Sequence, residues 1–249
     1  MLVNGHNLLV EQHGPQNGPV VVLLHHGLGS LMAWKEQIPV LVNAGWHVIA
    51  YDRWGYGGSD DRPALDLPDF ASDLADLQAI LAVTGTPQAA LVGHSDGGTI
   101  ALYFAVHYPK IVTCLVLVAA HIYVELKMEP SIIAIKQAFD HDERFRHGLH
   151  RAHGEKYPST FRNWFDGWHR MDSLSWDMRP ILSQIRCPTL VVQGKQDEHA
   201  TPQHARDIAA AIPGAELWLL TGACHMLPQE HADQFNPRLL EFLNLHRDG

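Results

Sequence analysis

The sequence predicts an α/β fold: a mostly parallel central sheet of about eight strands, helices on both faces, and a helical cap inserted after the sixth strand. Three observations predict it. Short apolar runs such as PVVVLLH at 19–25 and WHVIAYD at 46–52 lack polar alternation, as strands buried on both faces do. Segments with the apolar spacing of helices alternate with these runs. One stretch, 121–185, breaks the alternation and holds no buried-strand run, so it reads as an insertion.

In order along the chain, residues 8–12 read as a strand paired with 1–3 through the Asn4-Gly5 turn, a strong hairpin signal. The strand at 19–25 leads to a helix at 31–43, with Ser30 as its cap. The strand at 46–52 follows. Phe70, Leu74, Leu77, Ile80 and Leu81 recur at helical spacing and predict a helix over 69–83. A strand at 89–94 runs into a helix from Asp96 to about Tyr108, stopped by Pro109. Residues 111–119, 188–193 and 216–220 are further strands, and 202–212 and 229–246 are closing helices. The insertion is rich in aromatic residues and histidines, and it follows a strand end, where sheets of this kind bind ligands. The domain reading is a core of 1–120 and 186–249 with a cap of 121–185.

At 249 residues the chain is long enough for one sizeable α/β domain. Its formal charge of −9, without a basic run, argues against nucleic acid as a partner. No apolar stretch is long enough for a membrane span and no signal peptide is evident, so a cytoplasmic location is expected. The three cysteines have neither disulfide nor metal-ligand spacing: Cys114 reads as core, and Cys224 is set aside as a thiol catalyst despite adjoining His225. His150 and His153 lack a second ligand pair, so no metal is expected. The oligomeric state is left open.

The stretch ALVGHSDGGT at 90–99 carries the chemistry. Gly93-His94-Ser95-Asp96-Gly97 lies between a strand and a helix, matching G-x-S-x-G, in which a strained turn lifts the serine hydroxyl out of the sheet. The same glycine frame fails around Asp96, which disfavours a carboxylate nucleophile. Asp96 is read as a cap of its own helix, the alternative being a carboxylate that faces the pocket, opposing anionic acyl groups and favouring cationic ones.

Four further landmarks join this motif, and with them nearly the whole chain resembles the α/β-hydrolase fold superfamily. His25-His26-Gly27-Leu28-Gly29 is similar to its oxyanion loop. The resemblance implies backbone N–H donors from Leu28 and Asp96, with His26 bracing the loop. Asp52-Arg53-Trp54-Gly55-Tyr56-Gly57-Gly58-Ser59 resembles a structural turn near the site, so Asp52 and Arg53 are read as structural. Gly194-Lys195-Gln196-Asp197 resembles the acid loop, and Asp197 fits its spacing better than Glu198. Gly222-Ala223-Cys224-His225 resembles the histidine loop, which singles out one of eighteen histidines.

The implied enzyme is a carboxylic ester hydrolase with Ser95 as nucleophile, His225 as base and Asp197 orienting it, working without a cofactor on a small or medium apolar ester. His26, Trp164 and Trp168 are candidates for the substrate pocket. Carbon–carbon bond, lactone or thioester hydrolysis and perhydrolysis would use the same triad. A non-catalytic binding protein would tolerate loss of a triad member, and here all three are present.

Overall fold

The apolar runs form strands because each can bury both faces. The computed structural model describes residues 1–171 and 175–247, so positions 172–174 of the expected cap and 248–249 of the expected core lie outside the described residues. The strands are β1 (Leu2–Val3), β2 (His6–Asn7), β3 (Val10–His13), β4 (Val20–Leu24), β5 (His47–Tyr51), β6 (Ala89–His94), β7 (Val112–Val118), β8 (Thr189–Gly194) and β9 (Glu216–Leu220). Seven of them form one sheet in the order β3-β5-β4-β6-β7-β8-β9. Only β3 runs antiparallel to its neighbour; the other pairs are parallel.

Within a strand, successive side chains enter different cores. Val22 and Leu24 of β4 join one buried cluster, Val21 and Leu23 the other. The first cluster takes in α2 (Ala71–Val83), α3 (Asp96–His107) and α8 (Gln203–Ala211). The second takes in α1 (Ile38–Asn43), α9 (Leu227–Glu230) and α10 (Ala232–Leu245). Cys114 is part of the second core, where burial raises its thiol pKa to about 12.

Between β7 and β8 the described residues form α4 (Met128–His141), α5 (Glu143–His153), α6 (Tyr157–Met171) and the short α7 (Arg179–Leu182). Their rings pack on one another and on the first core: Phe139 stacks on Phe161 at 3.8 Å, and Trp168 meets Trp176 edge-on at 6.1 Å. Among the described residues, no helix is long and apolar enough to cross a membrane.

Three local expectations differ from the structure. The Asn4-Gly5 turn joins β1 to β2, not to 8–12, because a two-residue turn with both residues at positive φ pairs the residues directly beside it. The insertion therefore follows the seventh strand in chain order. The helix expected over 31–43 is a 3₁₀ turn at Leu31–Trp34 and then α1, and Ser30 makes no side-chain cap. Pro39, which has no N–H to donate, starts a new helix there. The closing helix is likewise divided at His231 into α9 and α10.

The sheet order reverses between β4 and β6, since the chain builds β5 and β3 on one side and β7 to β9 on the other. A crevice outside the strand ends forms at such a switch point. The loops leaving β4, β6, β7, β8 and β9 carry His26–Leu28, Ser95, His121, Asp197 and His225 respectively.

Candidate active site

The turn after β6 is held by backbone packing. A Cβ on Gly93 would overlap the Gly97 carbonyl, and one on Gly97 would overlap the carbonyl of Leu24 in β4. Only glycine lets these segments approach so closely. Between them Ser95 adopts φ 54° and ψ −118°, a conformation costly for a residue with a side chain and held by its surroundings. The Ser95 amide donates to Val118 in β7 at 2.8 Å, and the Ser95 carbonyl accepts from Gly98 and Thr99.

The loops that follow β8 and β9 meet beside the sheet. His225 Nδ1–H donates to Asp197 Oδ2 at 2.9 Å. That oxygen also accepts from Gln193 Nε2 at 2.7 Å, while Oδ1 accepts the amides of His199 and Ala200 at 2.8 and 3.0 Å. Burial opposes ionisation of Asp197, but the His225 hydrogen bond and charge and these amides hold its pKa at about 2. The Asp197 carbonyl accepts from Lys127, which ties α4 to the acid loop.

Two braces escape a sequence reading. The His94 ring donates from Nε2 to the His225 carbonyl at 2.9 Å. Glu198, weighed in the sequence only as a rival acid, instead accepts the His225 amide at 3.0 Å. His94 occupies the variable position of G-x-S-x-G, and that placement between two glycines was its one available signal.

Ser95 and His225 face one cavity of about 340 Å³, walled by apolar side chains of α4, α5 and α6. His26, Leu28, Asp96, Trp164 and Trp168 line it too, while Cys224 does not. Among the described residues, no lysine or arginine lines it, and no group of side chains could hold a metal ion. His121 and His199 complete the wall near His225. Burial lowers their pKa values to about 3 and about 4, so both rings are neutral at pH 7.

The amide expected in the oxyanion hole from Asp96 is at the first position of α3, where a helix offers it no acceptor. Its partner belongs to Leu28, in a loop held at φ 60°. His26 Nδ1–H donates to Gly27 at 2.6 Å, and burial lowers its pKa to about 4. His25 Nδ1–H donates to the His26 carbonyl, while its Nε2 accepts the Arg53 amide. Asp52 accepts the amides of Leu31 and Gly58 at 2.6 and 2.7 Å.

Asp96 does not cap its helix by a side-chain bond. Its Oδ2 accepts from Arg53 at 3.1 Å, and a buried guanidinium is the stronger partner. Arg53 also reaches Asp73 at 3.2 Å, and Arg62 reaches the other oxygen of Asp73 at 2.7 Å.

His153, considered in the sequence only as a metal ligand, bridges two loops. Its Nε2–H donates to the Leu28 carbonyl at 3.0 Å, and its Nδ1 accepts the Gly57 amide at 2.9 Å. Burial lowers its pKa to about 4, keeping the ring neutral and that tautomer fixed. Replacing His153 by alanine leaves a buried carbonyl and amide unpaired and frees the Leu28 loop. We expect the rate of labelling of Ser95 by a fluorophosphonate to fall about tenfold, the kinetic equivalent of one such lost hydrogen bond. An unchanged rate would show that α5 does not position this loop.

A family model described as "alpha/beta hydrolase fold" matches residues 19–176. The chain is 27% identical to a 2-hydroxy-6-oxononadienedioate/2-hydroxy-6-oxononatrienedioate hydrolase of Comamonas testosteroni, over 95% of this chain and 92% of that protein. It is 31% identical to the serine hydrolase BPHL of Homo sapiens, over 97% of this chain and 84% of that protein. Among solved structures, an enol-lactonase from Burkholderia xenovorans LB400 superposes with a TM-score of 0.78 at 24% identity, covering 97% of this chain and 98% of that one.

Proposed function

The chain belongs to the alpha/beta hydrolase fold family, and on that premise we propose that it hydrolyses an uncharged carboxylic ester through an acyl-enzyme on Ser95. The observation that carries the proposal is the cavity: serine and histidine face it together, the side facing α4, α5 and α6 is largely apolar, and no lysine or arginine lines it among the described residues. The Comamonas relative is named for a dicarboxylate substrate. A dicarboxylate entering this cavity would lose its hydration and meet Asp96 instead of a cation, which favours the ester over that carbon–carbon cleavage.

His225 Nε2 takes the Ser95 proton as Oγ bonds to the carbonyl carbon. The carbonyl π electrons move to oxygen, where the amides of Leu28 and Asp96 stabilise the charge. Collapse of this intermediate breaks the bond to the alcohol, which leaves with the proton held by His225. Water then attacks the acyl-enzyme, giving one proton to His225, and the acid departs as Ser95 recovers that proton. Asp197 holds the ring by its Nδ1–H throughout and stays ionised. The chemistry needs no cofactor. In this reading residues 121–185 act as a cap over a core of 1–120 and 186–249 and supply the wall that selects the acyl group.

The test is hydrolysis of p-nitrophenyl acetate and butyrate, with mass spectrometry after fluorophosphonate treatment. Wild-type protein is expected to turn over and carry the label on Ser95, and Ser95→Ala to lose both. A folded wild type that is inactive and unlabelled would overturn the proposal.

A further inference from the structure

The apolar wall of the cavity contains a polar group with nothing to bind. Trp164 and Trp168 stand four residues apart on α6, so their side chains share a face, and both line the cavity. They are only 7% and 4% exposed, and the Trp164 indole N–H has no hydrogen-bond partner. A buried N–H is seldom left without an acceptor, because the loss of water is not compensated.

Both indoles converge on Asp96. The Trp168 N–H acts on that carboxylate as a hydrogen-bond donor and favours its ionised form. Trp164 Nε1 lies over Gly27, where a Cβ would overlap it while standing 3.0 Å from Asp96 Oδ2. The glycine is therefore what admits the indole to this corner. Arg53 engages Oδ2 at 3.1 Å. The corner thus offers indole N–H donors beside one carboxylate acceptor.

We propose that Trp164, Trp168 and Asp96 bind a hydroxyl on the acyl chain of the substrate, which makes short hydroxyacyl esters the preferred class. The inference rests on the ester reading above. A hydroxyl oxygen accepts from an indole while its hydrogen goes to Asp96, so one group satisfies both sides. A carboxylate could accept from the indoles but would face the Asp96 charge. An ammonium could donate to Asp96 but would leave the Trp164 indole unpaired. A methylene satisfies neither. Asp96 directly follows the nucleophile, and Gly27 directly precedes Leu28 of the oxyanion pair. The hydroxyl therefore belongs one or two carbons from the reacting carbonyl.

The experiment compares kcat/KM at neutral pH for ethyl 3-hydroxybutanoate, ethyl butanoate, ethyl 3-aminobutanoate and monoethyl succinate, followed by acid release. The hydroxy ester is expected to exceed the butanoate by about tenfold or more, since the butanoate leaves buried polar groups unpaired. In Trp164→Phe and Trp168→Phe, which lose the N–H, that ratio should fall toward one. A wild-type ratio near one, a preference for the ammonium ester, or a ratio kept in both variants would overturn the inference. The wild-type ratio decides even if a variant does not fold. Wild type that is labelled on Ser95 and cleaves ethyl butanoate as well as its hydroxy analogue sinks the hydroxyl subsite alone. Wild type that is unlabelled and cleaves none of the four sinks the ester reading with it.

Discussion

Arg53→Met is expected to destabilise the fold by about 3–5 kcal/mol, the usual consequence of removing one partner from a buried ion pair. Arg53 is 1% exposed and stands between Asp73 and Asp96, each within about 3 Å, with the Tyr56 ring 4.5 Å from its guanidinium. Burial alone would discourage its charge, but Tyr56, Asp73 and Asp96 more than offset this and raise its pKa. Burial has the opposite sign for Asp96, whose carboxyl is raised despite Arg53. Without Arg53, Asp73 keeps Arg62, whereas Asp96 loses its guanidinium partner inside the turn that bears Ser95. The double variant Arg53→Met/Asp96→Asn should therefore recover part of the loss, because it removes the Asp96 charge as well. Urea unfolding of the four proteins in this cycle measures the coupling. Arg53→Met within about 1 kcal/mol of wild type, below the range expected for a broken buried pair, would show that the network is not needed to hold the turn.

This network illustrates what a sequence conceals. The turn around Ser95 was legible because its information is local: two glycines, a preceding apolar run and a following helix fall within a dozen residues. The strands were legible for the same reason, since a run such as VVVLL is apolar at every position and both faces of the sheet are covered. Arg53, Asp73 and Asp96 lie 20 and 43 residues apart, and no periodicity links them. Asp73 could have been a solvated charge, and Arg53 was read as structural without a partner in view. Asp96 was misread because its position at a helix start already offered an explanation, and only the fold brings a stronger partner to it.

The histidines show the same limit more sharply. His225 was selected by its place in a glycine loop after the last strand, and His26 by adjoining the expected oxyanion loop. His94 and His153 had no comparable signal for the bonds they make, because a histidine braces a backbone through partners that are distant in sequence. His153 reaches Leu28 across 125 residues and His94 reaches His225 across 131. The cap was visible only as an interruption of the strand pattern. Its rings could be counted, but which of them pack and which face the cavity depends on how α6 is rotated against the sheet.

Those buried histidines lead to the second large effect, acid unfolding at unusually mild pH. His25, His94, His121 and His153 are nearly inaccessible, at 0%, 0%, 7% and 3% exposure. Burial lowers the pKa of His121 to about 3 and of His153 to about 4, and sends those of His25 and His94 well below 6.5. Unfolded chains take up these protons as the pH falls through about 6.5, while the folded protein refuses those of His121 and His153 until about 4 or lower. The unfolded state then binds more protons, so stability is fully present above pH 6.5 and is lost on acidification. Each group contributes about 1.4 kcal/mol per pH unit within that window. At pH 5 His121 and His153 together amount to about 4 kcal/mol, and His25 and His94 act in the same direction. Asp197 acts in the same direction at lower pH, since its depressed pKa favours the folded state until protonation near 2. We expect loss of near-ultraviolet circular dichroism with a midpoint near pH 5. His121→Phe, which removes one titration at a ring whose Nδ1 has no partner, should lower that midpoint by about half a unit. A wild type that keeps its native spectrum to pH 4 would mean that these rings reach water, or find acceptors, before the fold gives way.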